Sequence, residues 1–337
     1  MSTRLLALSV SASLMGGTAI AEVPSVAVDI APVHSLVARV MDGVGTPNLI
    51  VQPGASPHEY SMRPSEASAL QEADLVVWMG EDLTPWMAGA VETLSADASV
   101  VTLLEADETS LLEFREGALF EAHDHGPGDE DHGHEDHAEG EEHGHEDHAE
   151  DETHGAEDDA HDHDHAHGDH DPHAWLSPKN AGTWLNLIAA QLSAADPDNA
   201  GAYFANAAAA RGEIEELSAE INATLDPVRG GSFIVFHDAY QYFETDFDFA
   251  ASGAISFGDA SDPSPARIAE IQERIREEGV DCVLAEPQFN EGLVATVLDG
   301  TEAKTGVIDP LGAELKPGPA LYPQLIRNMS ATLAECL

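Results

Sequence analysis

Three histidines of this 337-residue chain have the placement that a metal site requires. His58 comes directly after a predicted strand, His237 follows the apolar run 232–236, and His173 lies at the end of a histidine-rich stretch. Because ligands of open α/β sheets bind outside the carboxyl ends of the strands, we expect these side chains to converge on a cleft between two lobes. Three imidazole nitrogens suit Zn²⁺ better than Mg²⁺, Ca²⁺ or Mn²⁺, which prefer oxygen ligands. Any one of these histidines alone is more often an isolated polar loop residue, so the prediction depends on all three together.

A fourth histidine outside the histidine-rich stretch, His34, also follows a predicted strand. It opens an amphipathic helical pattern, however, and we expect it to line the wall of the cleft without binding the metal.

Short apolar runs alternate with helical patterns along both halves of the chain, which favours parallel sheets built from βαβ units. The first half predicts strands near 23–30, 47–51, 75–79 and 98–104, and helices near 33–41, 64–73 and 85–95. The second half predicts helices near 178–194, 264–278, 291–299 and 321–335, and strands near 232–236, 280–285 and 304–308. The predicted fold class is therefore α/β, with two lobes of small parallel sheets flanked by helices.

One long rigid helix is predicted to join the two lobes. It begins at Asp196-Pro197, an N-cap acid followed by proline, and the sequence 226–231 ends it. Apolar residues recur between these points at three- and four-residue steps: Tyr203, Ala207, Ala210, Ile214, Leu217, Ile221 and Leu225. At about 1.5 Å per residue, a helix over 197–225 spans about 43 Å.

The segment 121–171 contains 22 Asp or Glu and 14 His but no Lys or Arg. It includes a tandem duplication in which 130–140 and 141–151 match at nine of eleven positions. Nothing in it can bury apolar surface, so we expect a disordered insert within the first lobe. Its imidazoles and carboxylates should bind several Zn²⁺ ions weakly, because the chain must be ordered at each binding event. We therefore expect the insert to scavenge or sense zinc.

The N-terminus has the pattern of a secretory signal. Arg4 precedes the short apolar stretch 5–20, and Ala19-Ile20-Ala21 gives a small-x-small cleavage site. We therefore expect a signal peptide over 1–21, a first lobe over 22–196, the linking helix over 197–225 and a second lobe over 226–337. The mature chain should be soluble and exported to the periplasm.

The net charge excludes one class of function, and the cysteine content indicates a disulfide. The net charge of −50 repels phosphate backbones, so nucleic-acid binding is excluded. Only two cysteines are present, Cys282 and Cys336, and in an oxidising compartment such a pair is more often a disulfide than two unrelated thiols.

Several motifs resemble the metal-binding component of zinc ABC importers, the ZnuA-type family of cluster A-I solute-binding proteins. They are, with their first and last residues, Pro53–Ser65, Ala73–Gly80, Asp171–Trp175, Phe236–Ala239, Ala285–Gln288 and Ile308–Gly312. The acidic, histidine-rich insert before His173 is also similar to that family, and the resemblance covers essentially the whole mature chain.

The resemblance implies a two-lobed protein that binds Zn²⁺ as transported ligand through His58, His173 and His237. It implies a bridge between Cys282 and Cys336, delivery of zinc to a membrane permease with its ATPase, and no enzyme activity. The sequence does not give the oligomeric state, and a monomer is the default expectation for this architecture. Other periplasmic zinc-binding proteins are further candidate partners.

The third ligand position and the fourth ligand bear on the choice of metal. Manganese-binding relatives have a carboxylate where this chain has His237, which favours zinc. Some zinc-binding relatives have Glu immediately before the first histidine, but here that residue is Pro57. The fourth ligand therefore stays open between a water, Glu59 and Asp309, and Asp309 is equally suited to capping the following turn.

Three other functions remain as alternatives. The first is a manganese- or iron-binding protein of the same importer class. The second is a zinc hydrolase, since three histidines with an open fourth position also describe catalytic sites, although no HExxH pattern is present. The third is a periplasmic zinc buffer that serves no transporter.

Overall fold

The computed structural model describes residues 23–115, 170–256, 263–289 and 291–337. The predicted signal peptide lies outside these residues, as does nearly all of the predicted insert. The described helices are α1 Ala31–Val40, α2 Pro64–Gln71, α3 Pro85–Leu94, α4 Pro178–Ala195, α5 Ala200–Leu225, α6 Gln241–Phe247, α7 Pro265–Glu278, α8 Glu291–Leu298 and α9 Leu321–Cys336. The described strands are β1 Val26–Val28, β2 Asn48–Leu49, β3 Leu75–Trp78, β4 Ser99–Thr102, β5 Phe233–His237, β6 Ala254–Ser256, β7 Cys282–Ala285 and β8 Lys304–Val307.

These strands form two four-stranded sheets with the same topology. The first has the order β2-β1-β3-β4 and the second the order β6-β5-β7-β8, and every pairing is parallel. The central strands β1, β3, β5 and β7 are buried along their length, which explains why they appear in the sequence as continuous apolar runs. The predicted fold class is confirmed.

The parallel arrangement brings the chemistry-bearing loops to the carboxyl ends of the strands. His58 lies in the loop after β2, His237 is the last residue of β5, and Glu286 follows β7 directly. Asp309 lies two residues after the end of β8. Adjacent parallel strands end at the same sheet edge, so residues that are far apart in sequence become neighbours there.

Helix α5 is the long helix that the sequence predicts, and its apolar periodicity is confirmed. All seven predicted inward positions are buried, and α5 packs along α1, α4 and α9. Its 26 residues span about 39 Å. The helix therefore contacts elements from the first half of the chain as well as the C-terminal helix.

The start of this helix differs from the prediction. Pro197–Asn199 form a separate 3₁₀ turn with Asp196 as its N-cap residue, so the α-helix itself begins at Ala200. Its Oδ2 accepts hydrogen bonds from Asn199 Nδ2 at 2.7 Å and from the Tyr203 hydroxyl at 2.9 Å. Asp196 thus fixes the first turn of α5 through side chains.

Two elements were not predicted from the sequence, helix α6 and strand β6. Each is short, seven and three residues respectively. The N-cap and proline signals that identified other elements are missing from α6, which has no side-chain cap hydrogen bond at its start.

A disulfide joins Cys282, the first residue of β7, to Cys336, the last residue of α9. Their Cα atoms are 5.7 Å apart. The bridge ties the C-terminal helix to the second sheet. Across the part of the chain that the structure describes, no helix is both long and apolar enough to span a membrane.

Candidate metal centre

His237 is held by a buried carboxylate. The side chain is buried at the end of β5, and its Nδ1 lies 2.7 Å from Glu286 Oε1. The two residues meet because β5 and β7 are paired in parallel. A hydrogen bond from Nδ1–H to the carboxylate selects the tautomer in which Nε2 carries a lone pair. His237 is therefore oriented to bind an ion through Nε2.

His173 is held in the same manner. Its Nδ1 lies 2.7 Å from Asp171 Oδ1, and its backbone N–H donates to the same oxygen at 2.9 Å. Burial of Asp171 raises the pKa of this carboxyl to about 7, against the lowering effect of the His173 N–H and of Arg115. The His173 backbone N–H and Arg115 thus keep this rise smaller than burial alone would make it.

His58 lies on a half-buried loop. The Trp86 indole N–H donates to Pro57 O at 2.7 Å, and the His58 backbone N–H donates to Ser56 Oγ at 3.2 Å. These contacts direct the ring toward His173, and the two Nε2 atoms are 3.4 Å apart. Two nitrogens bound to one tetrahedral Zn²⁺ at about 2.0–2.1 Å are separated by about 3.3–3.4 Å, so this pair has the spacing of two zinc ligands.

The three rings form one cluster, as the sequence predicts. The ring centroid of His173 is 5.4 Å from that of His58 and 5.3 Å from that of His237. Within the described ranges, no three His, Cys, Asp or Glu side chains are already closed around a common metal position. The His58–His173 pair is at ligand spacing, and the His237 ring is the third member of the cluster.

The remaining sequence candidates lie in different environments. His34 is buried in α1, with Nε2 3.1 Å from Pro47 O, and burial lowers its pKa. Glu59 is exposed beside His58. Asp309 accepts three backbone N–H bonds at 2.6–3.0 Å from the turn 311–313. Asp309 therefore has the turn-capping role that was one of its two sequence interpretations.

Sequence reasoning did not assign Asp171 or Glu286 as partners of the histidines, although both lie in the motifs Asp171–Trp175 and Ala285–Gln288. It also did not identify Arg115, whose guanidinium contacts two buried carboxylates, Asp238 and Glu244. Burial raises the pKa of both carboxyls, and Arg115 opposes that rise. A lone arginine beside a charged insert gives no sequence signal for such a contact.

A match to a known protein family indicates what kind of protein contains this histidine cluster. Residues 26–336 match the family described as "ZnuA: Zinc-uptake complex component A periplasmic". The chain belongs to the ZnuA family. This is a family of solute-binding transport proteins of the periplasm and not of enzymes, and the predicted resemblance is confirmed.

Individual members of the ZnuA family are similar along nearly the full chain. The high-affinity zinc uptake system protein ZnuA of Brucella abortus (strain 2308) is 45% identical over 326 residues, which cover 97% of this chain and 95% of that protein. A solved crystal structure of ZnuA superposes with a TM-score of 0.69 at 20% identity, covering 94% of this chain and 99% of that one.

The fold alone does not select the metal. The solute-binding protein FpvC from Pseudomonas aeruginosa in complex with Mn²⁺ also superposes with a TM-score of 0.69, at 18% identity, covering 94% of this chain and 98% of that one. The choice between zinc and manganese must therefore come from the side chains at the site.

Proposed function

We propose that this protein captures Zn²⁺ in the periplasm and delivers it to the permease of an ABC importer. The observation that carries the proposal is the paired orientation of His173 and His237, each with a buried carboxylate on Nδ1, in a chain of the ZnuA family. His58 supplies the third nitrogen, at ligand spacing from His173.

Carboxylates on the outer ring nitrogens strengthen zinc binding in two ways. They hold each imidazole in the required tautomer and orientation, and they make the metal-binding nitrogen more basic. Because Asp171 and Glu286 are both buried, neither needs to be immobilised at the moment of binding. No bond is made or broken in the cargo, so the function is capture and release.

The donor set supports zinc over manganese or iron. Three nitrogen ligands suit a borderline-soft ion, whereas manganese prefers carboxylate and water oxygens. Asp309 is a poor fourth ligand, since its oxygens accept three backbone N–H bonds. We propose water or the exposed Glu59 in that position.

Delivery is proposed to involve local loop movement. Helix α5 packs against α1, α4 and α9, and the Tyr322 hydroxyl of α9 donates to Trp175 O at 3.0 Å. A wide hinge would break these contacts, whereas movement of the half-buried loop that bears His58 would leave them in place. The proposed partners are the permease with its ATPase and other periplasmic zinc-binding proteins, and the protein is proposed to act as a monomer after removal of residues 1–21.

The test is a competition titration of the mature protein with Zn²⁺ and Mn²⁺ against a chelator of known affinity. We expect one tight zinc site that is lost in His58→Ala, His173→Ala and His237→Ala, and for which manganese competes poorly. His34→Gln is the matched control, because this buried histidine lies outside the cluster and should leave the affinity unchanged. Tight binding that survives all three alanine variants, or a preference for manganese, would contradict the proposal. Turnover of an ester substrate by the zinc-loaded protein would instead favour the hydrolase.

A further inference from the structure

Arg115 forms a buried ion-pair cluster next to the metal centre. Its guanidinium is mostly buried and contacts both oxygens of Asp238 and both oxygens of Glu244. Asp238 is the residue immediately after His237, and Glu244 lies on α6. Arginine suits this position because its planar fork can donate to two carboxylates at once.

Helix α6 holds the same chain segment through two further side chains. The Tyr242 hydroxyl accepts from Leu112 N at 3.0 Å and donates to Asp171 O at 2.7 Å. The side-chain amide of Gln241 has one orientation that satisfies both its oxygen and its nitrogen. In this orientation the nitrogen donates to Glu113 O at 3.1 Å and to Asp171 Oδ2 at 3.3 Å. We call the set Arg115, Asp238, Gln241, Tyr242 and Glu244 the α6 clasp.

The clasp binds two stretches of chain that meet beside the site. Glu113 and His170 form an isolated antiparallel bridge, and Asp171 N donates to Leu112 O at 2.9 Å. The segment 112–115 therefore supports Asp171, which orients His173. On its other side, Arg115 fixes Asp238 and with it the end of β5, where His237 lies.

We propose that Arg115 is a positioning residue for zinc capture, holding the supports of His173 and His237 in register through the α6 clasp. The inference rests on the proposed zinc function. Without the guanidinium, two buried carboxylates face each other with no cation between them, and the segment 112–115 loses its anchor on α6. Both histidines would then sample orientations that do not share one ion.

The experiment compares Arg115→Met with Arg229→Met. Arg229 is a suitable control because it also donates to several acceptors, Asp226, Asn222 and the carbonyls of Phe247 and Asp248 at the far end of α6, but lies away from the histidines. Zinc affinity is measured by chelator competition on folded protein, together with the visible spectrum of the Co²⁺-loaded form. For Arg115→Met we expect zinc affinity to fall about tenfold to hundredfold, the range typical of lost ligand-orienting partners, with an altered cobalt spectrum.

A purely structural role of Arg115 predicts a different result. In that case both variants lose thermal stability while zinc affinity and the cobalt spectrum match the wild type, and the inference is overturned. Should Arg115→Met fail to fold, Arg115→Lys keeps the charge without the fork and is expected to give an intermediate affinity; wild-type affinity in that variant also overturns the inference. A wild-type protein without a tight zinc site would contradict the proposed function itself, which separates the two failures.

A double variant tests whether Arg115 and Glu244 act together on zinc affinity. Glu244→Gln removes one partner of Arg115 seven residues away from His237 in sequence. If Arg115 acts through the clasp, the losses of zinc affinity in Arg115→Met and Glu244→Gln do not add in the double variant. Additive losses would show that the two residues act separately.

Discussion

At the residue scale, the property that distinguishes this site is the pairing of each buried histidine with its own buried carboxylate. Glu286 lies 2.7 Å from His237 Nδ1, and Asp171 lies at the same distance from His173 Nδ1. The two pairs differ in origin, because Asp171 is two residues before His173, whereas Glu286 is 49 residues from His237 and reaches it only through the pairing of β5 with β7. The histidines could be predicted from their positions at strand ends and at the end of the histidine-rich stretch, but the Glu286 partner depends on sheet order.

Glu286→Gln tests whether the negative charge of this partner strengthens zinc binding. The amide oxygen can still accept from Nδ1–H, but the negative charge that makes Nε2 more basic is lost. We expect zinc affinity, measured by chelator competition, to fall about tenfold to hundredfold. Glu270→Gln is the control, since that glutamate pairs with Arg267 on exposed surface and should leave the affinity as in the wild type. Wild-type affinity in both variants would mean that the hydrogen bond to Nδ1 is sufficient and that the charge of Glu286 does not strengthen zinc binding.

Asp29 predicts a pH dependence of stability that is separate from the metal. Its carboxylate is fully buried and accepts from Ile30 N and Met79 N at 2.7–2.8 Å, yet burial outweighs both bonds and raises its pKa from 3.8 to about 7. The unfolded chain therefore ionises at lower pH than the folded protein does. The stability that protonated Asp29 contributes is fully present below about pH 4 and is lost as the pH rises to about 7, by about 4 kcal/mol at about 1.4 kcal/mol per pKa unit.

The measurement is urea unfolding of the metal-stripped protein between pH 4 and pH 8, for wild type and Asp29→Asn. The variant loses an acceptor and starts from lower stability, but its free energy of unfolding should fall less steeply over this range. Exposed Asp74 provides the control, because Asp74→Asn removes one carboxylate and leaves the buried one in place. Parallel curves for wild type and Asp29→Asn would refute the assignment.

At the element scale, the sequence predicts the long or strongly apolar elements and misses two of the short ones, α6 and β6. The periodicity of α5 and the apolar runs of β5 and β7 locate those elements within a few residues. Helix α6 has only seven residues; it buries Glu244 among aromatic side chains and directs Gln241 and Tyr242 toward the segment 112–115, so it is too short for a helical period to be recognised. The α6 clasp is therefore invisible to hydrophobic periodicity, although it supports two of the three histidines.

The disulfide joins a strand to a helix, and we expect its loss to leave the metal centre intact. Cys282 begins β7, whereas Glu286 follows its other end, so the bridge acts on the opposite edge of the sheet from the metal centre. For Cys282→Ser/Cys336→Ser, the 54-residue loop predicts a loss of about 4 kcal/mol in the free energy of unfolding in the loop-entropy model. Urea unfolding measures this loss, and chelator competition at a temperature where the variant is folded should give a zinc affinity within about threefold of the wild type. A collapse of zinc affinity in the folded variant would show that the bridge also positions the site.

At the scale of the whole molecule, the described core is continuous between the two sheets. One cluster of buried side chains includes Val28 of β1, Leu217 of α5 and Leu333 of α9. Trp175 donates from its indole N–H to Pro310 O at 2.8 Å, and Tyr322 N donates to Ser35 Oγ at 2.9 Å. Contacts of this kind make small, local movements cheaper than the opening of a hinge, which is consistent with release through the His58 loop.

The contacts that hold the chain on both sides of the insert indicate what the insert contributes to zinc binding. The bridge between Glu113 and His170, together with the α6 clasp, holds the chain on both sides of residues 121–167. A deletion of 121–167 removes 13 of the 14 insert histidines but none of these contacts. Isothermal titration with Zn²⁺ should therefore retain one tight site and lose the weak ones.

The weak zinc sites of the insert should be recognisable by their pH dependence. Because ordinary imidazoles titrate near pH 6.5, zinc bound by the full chain should drop sharply between pH 7.5 and 5.5 in the component that the deletion removes. A length-matched insert with serine in place of histidine serves as the control and should behave as the deletion does. If the deletion instead abolishes tight binding while the serine variant keeps it, the insert supports the centre as a connecting segment. If both variants lose tight binding, the metal is carried by the insert histidines, and the cluster of His58, His173 and His237 is not the capture site.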